Sequence, residues 1–251
     1  MNKQKIALIT GSSSGIGAGI AKILSLHGYE VIVTYKDHKK WAEEVVADIT
    51  KTKGKAVIRK LDVTDEESVK QCFSFVEKEF GYLNVLVNNA AVDGIAPIEA
   101  CTFDRWKTIT RTKIDGNFLC TKYALPLLKK PGKADLIVIM SSMGEKADAD
   151  DVPYCVGTAG TIMFVKAMAK GLAKYGIRTN GIGPAETRTN NGYWKEAGLT
   201  TDEAWDKFAK ANPLGRVSTP EDVGETALTI IENKTQFWNG NFIYVNGGGH
   251  L

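Results

Sequence analysis

Histidine and cysteine are scarce in this chain, three and four residues among 251. None of Cys72, Cys101, Cys120 and Cys155 is paired at metal-ligand spacing, so no metal is expected. No histidine partners Cys155 as a nucleophile would require, and a packed or surface thiol is the plainer reading. Four free thiols suit a reducing compartment, which makes the cytoplasm the expected location. Strong charge bias is missing as well. The net charge of +3 gives no argument for nucleic acid or a membrane surface as partner. No apolar run approaches the ~20 residues that span a bilayer. The apolar stretch near the N-terminus is five residues long, too short for a signal peptide. There is no Pro/Gly linker, repeat or low-complexity segment, so residues 1–251 read as a single domain.

What the chain has is alternation. KIALIT (5–10), EVIVTY (30–35), KAVIRKLDV (55–63), LNVLVNNA (83–90), ADLIVIMSS (134–142), IRTNGIGP (177–184) and NFIYVNGG (241–248) read as strands. Helical patterns separate them, including one long stretch through 103–128 and another from about Tyr154 to Lys174. This predicts an α/β fold: a doubly wound, Rossmann-type sheet of seven parallel strands with helices on both faces. Residues 187–212 hold Tyr193, Trp194, Trp205 and Phe208 between the last two strands, a candidate lid.

TGSSSGIG (10–17) follows the first strand and opens the first helix. Gly11 permits the tight turn, Gly15 lets backbone approach a pyrophosphate, and Gly17 allows close packing. Ser13, Ser14 and Ile16 complete a helix N-terminus that offers unpaired N–H groups to an anion. At the end of the second strand, an acidic residue would bind the adenosine ribose and repel a 2′-phosphate. Tyr35 and Lys36 stand there instead, followed by His38, Lys39 and Lys40. A cationic pocket favours NADP over NAD, although Lys39 and Lys40 also suit a solvated helix start.

These motifs occur in order with LDVTD (61–65), NNAA (88–91), a serine pair before Tyr154, and NPLGRVSTPEDV (212–223). The whole chain thereby resembles the short-chain dehydrogenase/reductase family, most of all bacterial 3-oxoacyl-carrier-protein reductases and their paralogues. The resemblance implies a nicotinamide cofactor, a small carbonyl or alcohol substrate, and a homotetramer. It places Asp62 and Val63 beside the adenine, and Asn88, Asn89, Ala90 and Ala91 along the cofactor cleft. Ile182, Pro184 and Thr187 would lie near the nicotinamide.

The family's chemistry uses a tyrosine as acid/base, a serine that holds the substrate oxygen, a lysine and a helix asparagine. Tyr154 matches the tyrosine. Ser142 matches the serine, with Ser141 as rival. The other two positions depart: YCVGT (154–158) ends on Thr158 where lysine is usual, and KIDGNF (113–118) begins with Lys113 where asparagine is usual. Asn117 comes one turn too late. Ala91, Ala185 and Asn246 are smaller departures from Gly, Gly and Asp. A literal Tyr-x-x-x-Lys at Tyr35 to Lys39 is a decoy, because it falls at the adenosine end.

A free tyrosine titrates near pH ~10, so only about one in a thousand is ionised at neutral pH. One ammonium ~5 Å away, at an effective dielectric of ~20, supplies roughly 3 kcal/mol towards ionisation. The two substitutions can therefore compensate: Thr158 empties space that Lys113 can enter from a neighbouring helix. The competing reading is a Lys113 that pairs with Asp115 or with an acid of ADADD (147–151). The sequence supports an NADP-preferring oxidoreductase, with a non-catalytic nucleotide-binding protein as the alternative.

Overall fold

The computed structural model describes residues 3–92, 96–141, 148–189, 194 and 201–249. Its strands are β1 (Lys5–Ile9), β2 (Tyr29–Tyr35), β3 (Lys55–Lys60), β4 (Val85–Asn88), β5 (Ala134–Ile139), β6 (Ile177–Pro184) and β7 (Phe242–Val245). The helices are α1 (Gly15–Leu26), α2 (Lys39–Lys51), α3 (Glu66–Glu79), α4 (Phe103–Lys113), α5 (Asp115–Lys129), α6 (Val152–Leu172), α7 (Asp202–Ala211) and α8 (Pro220–Ile231). All seven strands join one sheet, in the order β3-β2-β1-β4-β5-β6-β7, and every pairing is parallel.

The central strands β1, β4 and β5 read as largely apolar runs because both faces of the sheet are covered there. In β1, Ile6 and Leu8 point into one core, shared with α3, α5 and α6 through Val76, Leu127 and Val165. Ala7 and Ile9 point into the other, shared with α1 and α8 through Ile20 and Ala227. The strand period of two thus divides one apolar run between two cores. The chain order reverses between β1 and β4. That switch point opens a crevice at the C-terminal ends of the strands, where a ligand is expected in such sheets.

Two elements differ from the sequence reading. The long helical stretch is broken at Ile114 (φ −92°, ψ −61°), so α4 and α5 are separate helices. Gly116 starts α5 hard against β3's continuation: a Cβ there would meet Val63 Cγ2 at 2.8 Å. The second difference is α6. Together with the turn after it, Val152–Tyr175 reaches 24 residues and contains an 18-residue window of mean hydropathy 1.3, long and apolar enough to cross a membrane by length and composition. Its apolar character has a use inside the domain, because Val165, Ala169 and Leu172 are buried and the helix packs on β6 and α4.

Candidate active site

The glycine turn is held from three sides. Gly11 (φ +62°) and Gly15 (φ +56°) occupy left-handed backbone that disfavours side chains. The Gly11 N–H donates to Thr34 Oγ1, and the Ser12 hydroxyl donates to the Ile9 carbonyl. Thr10 Oγ1 accepts from the N–H groups of Asn89 and Ala90, while the Asn89 amide donates back to the carbonyls of Thr10 and Gly11. Asn89 therefore ties the end of β4 to the turn. Gly17 clears that tie rather than a strand: a Cβ there would lie 2.5 Å from Asn89 Nδ2. Helix packing instead needs Gly19, whose Cβ would strike Pro220 at the start of α8.

The first turn of α1 contains no acid, and the side chain of its N-cap, Ser14, makes no capping bond. Its N–H groups and positive dipole end stay available to an anion. Ser13, Ser14, Gly15 and Ile16 are all half-buried around this N-terminus. A dinucleotide pyrophosphate fits this cradle.

At the adenosine end, Tyr35 is half-buried and Lys36 exposed. Lys36 Nζ lies 2.9 Å from Asp62 Oδ2, so the lysine and the carboxylate expected beside the adenine are paired with each other. Asp62 also accepts from the Thr64 N–H and hydroxyl at 2.9 and 2.7 Å. Burial pushes its carboxyl up, but Lys36 and Thr64 outweigh burial and hold it below the ordinary carboxylate range. Val63 is buried in the core. The decoy Lys39 pairs with Glu43 within α2.

The residues expected to carry the chemistry meet where α4 packs on α6. Tyr154, in the first turn of α6, is half-buried. Lys113, the last residue of α4, is only 3% exposed. Its Nζ lies over the Tyr154 ring, 3.9 Å from the centroid. The structure thus brings together the two residues on which the sequence reading turned. Thr158, one turn further along α6, is fully buried, and its hydroxyl has no hydrogen-bond partner. Asn117 does not reach towards Tyr154. It joins β4 to α6 instead: its carbonyl accepts from Asn88, and its amide donates to Thr161, whose hydroxyl donates to the Gly157 carbonyl. Ser141 is buried beyond the end of β5, while Ser142 lies outside the described residues.

The far wall starts at the end of β6. Pro184 is buried, and Thr187 is buried with its hydroxyl on the Ala185 carbonyl and on Ser218 Oγ. Ile182 is a core residue, fully buried on the face shared with α1 and α8. Ala90 is half-buried and Ala91 exposed at the end of β4. In the candidate lid, Trp194, Trp205 and Phe208 form a three-ring cluster with centroids 5.4 to 5.9 Å apart, and Arg188 pairs with Asp202 at the start of α7. Tyr193 lies outside the described residues. A cavity of about 440 Å³ lies at the opposite end, where the strands begin, and includes none of these residues.

A doubly wound parallel sheet, a glycine turn on a bare helix N-terminus at the switch point, and a tyrosine in the first turn of α6 fit a dinucleotide-dependent oxidoreductase. The family model described as Enoyl-(Acyl carrier protein) reductase matches residues 11–250. The chain belongs to the short-chain dehydrogenase/reductase family and is an NAD(P)-dependent oxidoreductase. It is 34% identical to an uncharacterized oxidoreductase of Bacillus subtilis, over 98% of this chain and 91% of the relative. It is 32% identical to a meso-2,3-butanediol dehydrogenase of Serratia marcescens, over 97% and 94%. It is 31% identical to a 3-oxoacyl-[acyl-carrier-protein] reductase of Staphylococcus aureus, over the full length of both.

Proposed function

We propose that this protein is an NADP(H)-preferring reductase or dehydrogenase that interconverts a small carbonyl compound and its alcohol, with Tyr154 as acid/base and Lys113 as the cation that activates it. The placement of Lys113 Nζ over the Tyr154 ring carries the reading. A tyrosinate shares its negative charge between oxygen and ring, so a cation on the ring face favours the ionised form. The bound nicotinamide would supply or accept the hydride. The protein's own residues have the remaining tasks. Gly11 to Gly17 and the start of α1 would hold the pyrophosphate, and Lys36 would hold the 2′-phosphate. Tyr154 would pass a proton to or from the substrate oxygen, with Ser142 holding that oxygen. The lid residues 187–212 would exclude water. The relatives named for a diol dehydrogenase and an acyl-carrier reductase support the carbonyl/alcohol class. The working form proposed is a cytoplasmic homotetramer.

NADPH oxidation against a panel of carbonyl compounds tests the reading. Lys113→Met keeps the bulk of the stem and removes its charge, so it should abolish turnover about as completely as Tyr154→Phe, a loss of roughly 10²-fold or more. The double change Lys113→Asn with Thr158→Lys should restore activity by moving the cation to α6. Undiminished turnover in Lys113→Met would remove Lys113 from the chemistry.

A further inference from the structure

The stem of Lys113 lies in a slot made by an absent side chain. Where α4 meets α6, a Cβ on Gly157 would lie 2.9 Å from Lys113 Cδ, 3.3 Å from its Cβ and 3.6 Å from its Cγ. Those distances leave no room for a methyl group unless the stem moves. Tyr154 stands three residues earlier on the same helix, so the stem crosses bare backbone at Gly157 and presents its ammonium to the ring one turn away. The backbone of the slot is itself held, because the Gly157 carbonyl accepts from Thr161 and Thr161 accepts from Asn117.

Gly160, one turn further on, provides an internal comparison. A Cβ there would lie 2.4 Å from Ile114 Cδ1, and the residues it would meet do not include Lys113. Both glycines let α4 approach α6, but only Gly157 touches the lysine.

We propose that Gly157 is a positioning residue: its missing side chain forms the slot that seats Lys113 against Tyr154. This rests on the reading of Lys113 as the cation acting on Tyr154. A glycine required only for helix packing would behave like Gly160. Alanine is the better helix former, so a loss at Gly157→Ala would come from the displaced stem and not from the backbone.

The test is the ionisation of Tyr154 in the free protein. Tyrosinate absorbance is titrated for each variant and for its Tyr154→Phe counterpart, and the difference isolates Tyr154. In Gly157→Ala the midpoint should rise towards the free-tyrosine value of ~10, as it should in Lys113→Met, and each pH unit of rise lowers the ionised fraction at neutral pH about tenfold. Adding Gly157→Ala to Lys113→Met should produce no further rise. Gly160→Ala should lower Tm and leave the midpoint in place. A Gly157→Ala midpoint equal to wild type beside an effective Lys113→Met would overturn the slot alone, as would an equal rise from Gly157→Ala in both backgrounds. A silent Lys113→Met would instead fell the underlying reading of Lys113, and the slot with it. Should Gly157→Ala fail to fold, recovery of folding in Gly157→Ala/Lys113→Asn would support the slot, and persistent misfolding would overturn it.

Discussion

In the proposed NADP complex Lys36 would share its three donors between Asp62 and the 2′-phosphate, while Asp62, kept ionised by Lys36 and Thr64, would repel that phosphate. The two side chains therefore pull cofactor choice in opposite directions. Lys36 is more than half exposed, so the pair is worth at most about 1 kcal/mol. Asp62→Asn should accordingly tighten NADPH relative to NADH by about two- to fivefold, and Lys36→Glu should narrow or reverse the preference. Fluorescence titration of both cofactors measures this, and equal changes for NADPH and NADH would refute it. Single residues were unevenly legible in the sequence. The Lys113 and Thr158 departures could be read because each stands at a fixed distance from a motif. The Asn89 tie to the glycine turn could not, because it joins residues 78 and 79 positions apart through tertiary geometry. Nor could the burial of Ile182, which depends on which face of β6 meets the α1 core.

At the scale of elements, the strands were easiest to read, and β6 covers the same residues, 177–184, as the sequence reading. It is almost wholly buried although Arg178, Thr179 and Asn180 are polar, because both faces of the strand are covered. The break at Ile114 was hidden because the helical pattern of the sequence continues through it. The apolar richness of α6 has two sources. Part of it is core, but Val156 and Met163 are 47% and 62% exposed, and Phe118 of α5 is 52% exposed. In the proposed tetramer these helices would pair with their symmetry mates and cover such residues. Light scattering at micromolar concentration should give a multiple of the 27.3 kDa chain mass. The double substitution Phe118→Lys with Met163→Glu should lower that mass, and a wild-type monomer would contradict the assembly.

The whole molecule has a chemical end and a structural end. At the structural end, where the strands begin, Asp135 pairs with Arg178 at 2.7 Å, both nearly buried, and Arg178 also caps the carbonyls of Ile230 and Ile231 as α8 ends. Burial pushes the Asp135 carboxyl up to about 7, and Arg178 offsets only part of that rise. A folded-state value above the unfolded one means that the folded protein holds this proton more tightly. The resulting stability is fully present below about pH 4 and is lost as pH rises to about 7. Urea unfolding of wild type and Asp135→Asn at several pH values should therefore differ in slope. Between about pH 4 and 7, wild-type stability should fall more steeply, or rise less, than that of the variant. Parallel slopes would mean that Asp135 ionises normally in the fold. This end of the sheet left little trace in the sequence, since a lone Asp and a lone Arg 43 positions apart are paired only by the register of β5 on β6.

On the proposed role of Lys113, its place over the Tyr154 ring, with Thr158 fully buried one turn further along α6, also constrains how such a chain can change. With a second lysine at 158, two ammonium groups would be brought towards one tyrosine and repel each other. With asparagine at 113 and threonine at 158, neither helix would bring a cation to the tyrosine. Both single steps between the two arrangements pass through a poorer protein, so each arrangement is a local optimum. If Lys113 supplies the cation as proposed, a chain in this arrangement would regain the usual one only by changing α4 and α6 together.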